Sequence, residues 1–308
     1  FARTFSISDP GQALRLVKGV QESVGVDPKR WSPKAMRAEI SNAKNQLIDA
    51  KTFVEQNEGT FDIFLKNVAR VFPEYQKSLE QQNAFDFDDL LTKPVELLET
   101  MPELLARYRE RFAFVLVDEY QDTNRAQFRF VELLSGGHRN LMVVGDDDQS
   151  IYRWRGADIR NILDFEQAFP GARIVRLERN YRSTQRILDA ANHVISQNVE
   201  RKGKTLFTER AGGERVTLME TLDESDEARW IVQEIEARMR DTPTLSYRSC
   251  AVLYRTNAQA RAIEDALRRA GVPYQVVGSV RFYERREIQD VLSYLRLISN
   301  PRDEGAFE

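Results

Sequence analysis

Val115-Leu116-Val117-Asp118-Glu119-Tyr120-Gln121-Asp122-Thr123 is the stretch whose reading decides the fold. A short apolar run that ends abruptly in carboxylates has the form of a parallel-sheet strand, beyond whose carboxyl end ligands gather. The runs 141–144 and 173–177 repeat that form, each leading to a charged or glycine-containing turn and then a helical pattern. Strands alternating with helices predict an α/β architecture whose parallel sheet is covered on both faces. Downstream, a second α/β unit is expected, with strand 216–219, helix 224–239, strand 250–254, helix 258–270 and strand 274–277. Ser183 is placed to cap the helix carrying Ile187, Ala191, Val194 and Ile195, and the polar, basic stretch 199–213 reads as a linker or surface excursion.

Upstream the period becomes helical. Met36, Ile40, Ala43 and Leu47 recur at spacings of four, three and four, and Phe61, Phe64, Leu65, Val68, Phe72, Tyr75 and Leu79 continue the pattern. Ser32-Pro33 resembles a cap followed by proline at the first helical position, and the aromatic stripe reads as core packing. At 308 residues the chain exceeds a typical single domain, and 42% hydrophobic with 30% charged residues excludes general disorder. Its longest uninterrupted apolar run, 112–117, has six residues, against roughly 20 for a membrane span, so no membrane partner is expected. The single cysteine, Cys250, excludes an intrachain disulfide and a cysteine-rich metal site, which points to a reducing cytoplasm. With a net charge of -3, any nucleic-acid contact has to come from a local basic groove. The chain opens at Phe1 and stops soon after Asn300-Pro301-Arg302-Asp303 without a closing element, and so reads as a piece of something longer.

Two strand ends carry the chemistry. An aspartate directly after a strand, as Asp118 is, suits Mg²⁺, which prefers oxygen ligands, and the adjacent Glu119 is suited to deprotonate a water attacking a γ-phosphate. Acids at a helix start are also explained by the helix dipole, and that reading stands beside the first. The second end runs from Gly145 through Asp146-Asp147-Asp148-Gln149 to Tyr152-Arg153-Trp154-Arg155-Gly156-Ala157. Gln149 can reach a phosphate, Tyr152 and Trp154 offer faces for bases, and Arg155 a cation for the backbone. An aromatic loop folded into its own core would not require three aspartates and two arginines within ten positions.

Those two segments together with Leu177-Glu178-Arg179-Asn180-Tyr181-Arg182-Ser183-Thr184 resemble consecutive motifs of the UvrD/Rep/PcrA family of superfamily-one DNA helicases. Residues 251–259, 283–288 and 294–298 resemble that family's next segments in the same order, and Phe85-Asp86-Phe87-Asp88-Asp89-Leu90-Leu91 a further one. The resemblance implies two incomplete RecA-like parallel-sheet motor domains of the P-loop NTPase type with an N-terminal all-helical insertion. The implied divisions are a helical insertion at 1–82, the remainder of the first motor domain at 83–182, the first part of the second at 183–280, and the start of the second domain's own insertion at 281–308. It implies ATP and Mg²⁺ as cofactors, with Asp118 on the metal, Glu119 as catalytic base, Gln149 sensing the γ-phosphate, Tyr181 stacking on adenine and Arg182 as arginine finger. Tyr152, Trp154 and Arg155, with Arg255 and Asn257 from the second unit, would contact single-stranded DNA. The implied function is ATP-dependent 3′ to 5′ translocation and unwinding in repair or replication, acting on single strands and single-strand/duplex junctions with repair or replication proteins as partners.

Trp154 lies five residues from Gln149, so a shift at the phosphate sensor must move the stacking platform. The bland alternative for Arg182 is an ion pair with Glu178, four residues earlier. Gly203-Lys204-Thr205 ends like a phosphate-binding loop, but Asn198 stands where the leading glycine belongs and the segment follows a helix, so it reads as a basic surface loop. No other Gly-Lys-Ser/Thr occurs, so the 308 residues by themselves are expected to be inactive. The helicase portion of a recombination helicase-nuclease, or a non-catalytic single-strand-binding module, are the competing readings.

Overall fold

The computed structural model describes residues 4–199, 201–210, 212–277 and 286–299. These fall into two compact units, one holding the described residues of Phe1–Ser183, Leu188–Arg210 and Ser293–Glu308, the other those of Thr184–Ile187 and Ala211–Leu292.

The first unit opens with β1 (Ser6–Ile7) and helices α1 (Pro10–Ser23), α2 (Pro33–Asn45), α3 (Ala50–Gln56) and α4 (Ile63–Gln81), and then β2 (Ala84–Phe85), which pairs in parallel with β1. Asp9 starts α1 with a capping box, its carboxylate accepting from Gly11 and Gln12 while Gln12 reaches back to the Asp9 N–H. Ser32 precedes α2, but its side chain makes no cap bond; proline at the first position starts the helix instead. The expected periodicity builds one core from Met36, Ile40, Ala43, Val68, Phe72, Tyr75 and Leu79 with Val17 and Val20. Phe61 departs from that expectation: it lies before α4, outside the helix that carries the stripe, and is 97% exposed.

Helices α5 (Asp89–Thr100) and α6 (Pro102–Arg111) lead into β3 (Val115–Val117), then α7 (Arg125–Ser135) and β4 (Leu141–Val143), which pairs in parallel with β3. Val115 packs against a core of Val95, Leu98, Leu133 and Leu134 from α5 and α7. Alternate residues point the other way, and there Leu116 is 73% exposed, with Phe114, Met142 and Val144 exposed beside it. The expectation of a sheet covered on both faces is therefore corrected: the helices cover one face of this two-stranded sheet. Two short helices, α8 (Arg160–Leu163) and α9 (Phe165–Ala168), follow, and then α10 (Gln185–Ile195), which starts one residue later than a Ser183 cap would place it.

In the second unit α11 (Glu224–Asp241) and α12 (Asn257–Arg269) match the expected helices and pack through Ala228, Val232, Ile263 and Leu267. Asp223 caps α11 by accepting from Asp226, and Thr256 with Gln259 forms a capping box on α12. Helix α13 (Arg286–Ser299) closes the described chain. The expected strands 173–177, 216–219, 250–254 and 274–277 form no ladder among the described residues. A strand exists only with a partner, and these runs expose Leu177, Leu218, Leu253 and Val277 instead of burying them against one. A single parallel bridge, Arg179 to Phe207, stands near the first of them. The architecture is thus mostly helical with small parallel sheets, as incomplete α/β domains would give. No helix among the described residues is long and apolar enough to cross a membrane. Residues 283–285 of the expected segment 283–288, and 281–285 and 300–308 of the expected insertion, lie outside the described residues.

Candidate nucleotide and nucleic-acid site

The ends of β3 and β4 meet through the backbone, the Val144 N–H donating to the Val117 carbonyl at 2.8 Å and the Tyr120 N–H to the Val144 carbonyl at 3.0 Å. Parallel pairing thereby brings Asp118-Glu119 and Gly145-Asp146 to one edge although they are far apart in sequence. Asp118 and Glu119 are both exposed. One Asp118 oxygen accepts the Glu119 N–H at 2.9 Å. Glu119 is in the left-handed region, with φ 50° and ψ 41°, where a side chain costs roughly 1–2 kcal/mol. Such a conformation turns the chain sharply at the strand end.

Gln121 is the residue sequence reasoning passed over. It is 1% exposed, and its amide reaches both strand ends: Nε2 donates to Glu119 Oε2 at 2.9 Å, and Oε1 accepts the Asp146 N–H at 2.9 Å. Asp146 in turn accepts from Gln149 Nε2 at 2.8 Å. A continuous hydrogen-bond chain therefore joins the expected base, Glu119, to the expected phosphate sensor, Gln149. Gly145 is required by this packing, because a Cβ there would stand 2.7 Å from Gln121 Oε1 and 2.8 Å from Ile162 Cδ1. The signal in the sequence was Gln121's place within the strand-end run, but nothing local named its two partners.

Beyond Gln149 the chain makes a turn over Arg153–Arg155 closed by Gly156 at φ 86°. Tyr152 and Trp154 have ring centroids 6.4 Å apart, and Trp154 is 66% exposed, which suits a platform better than a core. Arg155 lies on the same turn. The Asp158 N–H and Asn161 Nδ2 both donate to the Thr123 carbonyl at 3.0 Å, which ties this loop back to the end of the acidic segment.

The basic stretch after α10, expected as a basic surface loop, is pinned by ion pairs. Arg201 forks onto both Asp148 oxygens at 2.8 and 2.7 Å, Lys204 bonds Asp146, and their side chains are only 16% and 18% exposed. The Arg201 guanidinium holds the Asp148 carboxyl below the usual carboxylate range, with Lys204 adding to the effect. Two cations thus offset much of the charge of three aspartates beside Gln149.

Tyr181 is exposed, with the Arg179 guanidinium 4.8 Å from its ring centroid. The Arg182 backbone is held by Asn180, which accepts its N–H at 2.9 Å, and by Arg210, which donates to its carbonyl at 2.7 Å. Among the described residues no ion pair joins Arg182 to Glu178, so the bland alternative for this arginine has no support. In the second unit Arg255 and Asn257 are exposed at the start of α12, where Gln259 Oε1 accepts the Arg255 and Thr256 N–H groups at 3.1 and 3.0 Å.

Acids, a glutamine and an aromatic-basic turn thus lie together beyond the ends of adjacent parallel strands. Residues 1–170 match the UvrD/REP helicase N-terminal domain, and residues 175–308 the UvrD-like helicase C-terminal domain. The chain belongs to the UvrD/REP helicase family. It is 45% identical over 307 residues to the ATP-dependent DNA helicase PcrA of Leuconostoc citreum, covering 100% of this chain and 40% of that protein. The PcrA proteins of Staphylococcus epidermidis and Bacillus subtilis are 46% and 45% identical over 302 and 305 residues, each covered to 41%. The chain spans about two-fifths of the length of the curated relatives it matches.

Proposed function

We propose that this chain is the central part of a cytoplasmic ATP-dependent DNA helicase that moves 3′ to 5′ on single-stranded DNA and unwinds duplexes at single-strand junctions during repair or replication. The hydrogen-bond chain Glu119–Gln121–Asp146–Gln149, continuing within a few residues into the Tyr152–Trp154 turn, carries this reading. It joins a base at one strand end to a phosphate sensor at the other, and the sensor to a stacking platform. The reading also takes in two RecA-like motor domains, at 83–182 and 183–280, preceded by a helical insertion at 1–82 and followed by the start of another at 281–308.

In this reading Glu119 takes a proton from the water that attacks the γ-phosphoryl group, and Gln121 holds its carboxylate in place. Gln149 exchanges its bond to Asp146 for one to the phosphate, and Arg182 stabilises charge on the transferring group, while Tyr181 stacks on adenine. Asp118 fits Mg²⁺ by donor chemistry: it offers a hard carboxylate oxygen, and this ion commonly takes one or two carboxylates plus substrate phosphates and water. Bound there, the ion would supply charge neutralisation on the phosphates. Tyr152, Trp154, Arg155, Arg255 and Asn257 contact the strand.

The test is ATP hydrolysis by the full-length protein with and without single-stranded DNA, together with strand displacement on duplexes bearing 3′ or 5′ tails. Hydrolysis stimulated by DNA and unwinding from the 3′ tail are expected. Binding without hydrolysis would make the protein a single-strand-binding module, and strand cleavage alongside unwinding would make it a helicase-nuclease.

A further inference from the structure

Asn45, the last residue of α2, is 7% exposed and belongs to the helical module, yet its amide is used by the motor segments. Its Oδ1 accepts from Asn124 Nδ2 at 2.6 Å, across 79 residues of sequence. Its Nδ2 donates to Asp88 Oδ1 and Ser41 Oγ, each at 3.3 Å. Asn124 has no slack, because its Oδ1 caps α7 by accepting the Gln127 N–H at 2.8 Å, and at 7% exposure its amide hydrogens need a protein acceptor. The third neighbour is Gly156, which closes the aromatic turn: a Cβ built there would sit 3.5 Å from Asn45 Cβ, in ordinary contact.

One side chain therefore bonds the start of α5 and the end of the acidic segment 118–124, and lies beside the turn carrying Tyr152 and Trp154. Its chain neighbour Lys44 anchors the same helix end, bonding Asp86 at 2.8 Å and Asp89 at 2.9 Å, while Tyr75 donates to Asp86 at 2.9 Å. The end of α2 is thus held firmly enough for Asn45 to act as a fixed stop for whatever rests on it.

We propose that Asn45 is a positioning residue, setting the aromatic turn and the α7 start against the helical module so that events at the acidic strand end reach the DNA platform. This rests on the reading of 152–155 as the strand-contacting turn. Without the Asn45 amide, Asn124 loses its acceptor and space opens beside Gly156, although the Cβ at position 45 stays, so the turn relaxes while Asp118, Glu119 and Gln149 keep their own bonds.

The experiment compares Asn45→Ala, Asn45→Asp and Ser41→Ala in the full-length protein. Asn45→Ala should raise the single-stranded DNA concentration for half-maximal ATPase stimulation on the order of tenfold, a usual size for coupling residues, and lower unwinding per ATP. Hydrolysis without DNA and the KM for ATP should stay unchanged. Unlike alanine, Asn45→Asp keeps an acceptor for Asn124 and the bulk beside Gly156, but it faces a second carboxylate on Asp88; it should melt lower yet retain most of the DNA stimulation. Ser41→Ala removes the neighbouring 3.0 Å bond to Asp88 and the 3.3 Å acceptor of Asn45 Nδ2, but it spares the Asn45–Asn124 bond and the neighbourhood of Gly156, and should leave coupling intact. Coupling lost in proportion to melting temperature across all three variants would make Asn45 merely structural and overturn the inference, as would an Asn45→Ala protein stimulated like wild type. A wild-type protein that DNA does not stimulate would sink the functional reading itself, and the inference with it.

Discussion

Glu119 combines backbone strain with the expected chemistry, and two substitutions separate them. Glu119→Gln keeps the left-handed φ of 50°, the side-chain length and an oxygen for Gln121, but removes the base. Hydrolysis should fall about 10²- to 10⁴-fold, the usual worth of a positioned general base, which is about 3–5 kcal/mol of barrier. ATP binding should survive. Glu119→Gly removes the base as well but relaxes the backbone. Relief of the left-handed conformation returns roughly 1 kcal/mol, while the buried Gln121 amide loses its 2.9 Å acceptor at a cost of about 1 kcal/mol. The two terms nearly cancel, so folding stability should change by less than about 1 kcal/mol while hydrolysis collapses. Single-turnover hydrolysis with saturating DNA, binding of a fluorescent nucleotide and urea unfolding of the full-length variants read all three quantities. Hydrolysis by Glu119→Gln within a few-fold of wild type, or nucleotide binding lost in step with hydrolysis, would refute the base. A large loss of stability in Glu119→Gly would show that the carboxylate is structural.

In thermal unfolding, Lys44→Met should destabilise by about 3–5 kcal/mol, because it leaves Asp86 and Asp89, whose side chains are 3% and 2% exposed, without their cation. Asp88→Asn should do the reverse at neutral pH: burial, and then the Asp86 charge, push the Asp88 carboxyl above the usual carboxylate range, while asparagine keeps an oxygen for Ser41 and Asn45. A raised folded-state value means that the ionised form costs stability at pH 7 and that the cost fades as pH falls through that value, so the gain should vanish in acid melts. Trp154→Ala should weaken single-strand affinity by about 1–3 kcal/mol with little dependence on base sequence, and being two-thirds exposed it should barely move the melting temperature. Arg155→Ala should instead flatten the logarithmic salt dependence of binding by about 0.7, the value of one phosphate contact to a single strand; an unchanged slope would remove that contact. The 308 residues alone should show no DNA-stimulated ATPase, since they hold no glycine-rich loop ending in Gly-Lys-Ser/Thr between a strand and a helix; turnover abolished by Glu119→Gln would contradict this.

What was legible in the sequence is what a residue's near neighbours determine. The run 115–117 followed by Asp118 announced a strand end, periodicity placed α4, α11 and α12 closely, and the density of aromatic and basic residues after Gln149 marked an exposed turn. Apolar content cannot say whether a run finds a partner, however, and so 173–177 and the three runs of the second unit read as strands where no ladder forms among the described residues. It also cannot say which face is covered, so Leu116, apolar like its neighbours, was placed in a buried sheet although it is 73% exposed.

Polar residues defeat local reading for a related reason: their meaning lies in partners chosen by the tertiary fold. Gln121 is one glutamine in a motif until Asp146, 25 residues on, donates to it. Lys204 is a surface cation until the fold sets it against Asp146, 58 residues away. Asn45 carries no signal at all until Asn124 and Gly156 close around it. Burial decides how much each pairing matters, since a solvated amide exchanges partners with water at little cost, whereas an enclosed one must be matched by the protein. Gln121, at 1% exposure, and Asn45, at 7%, have no such freedom, so displacing a partner of either displaces the segment carrying it. The coupling proposed between the aromatic turn and the acidic strand end therefore has two routes, one through the chain from Gln149 and one through buried amides, and the second could be seen only in three dimensions.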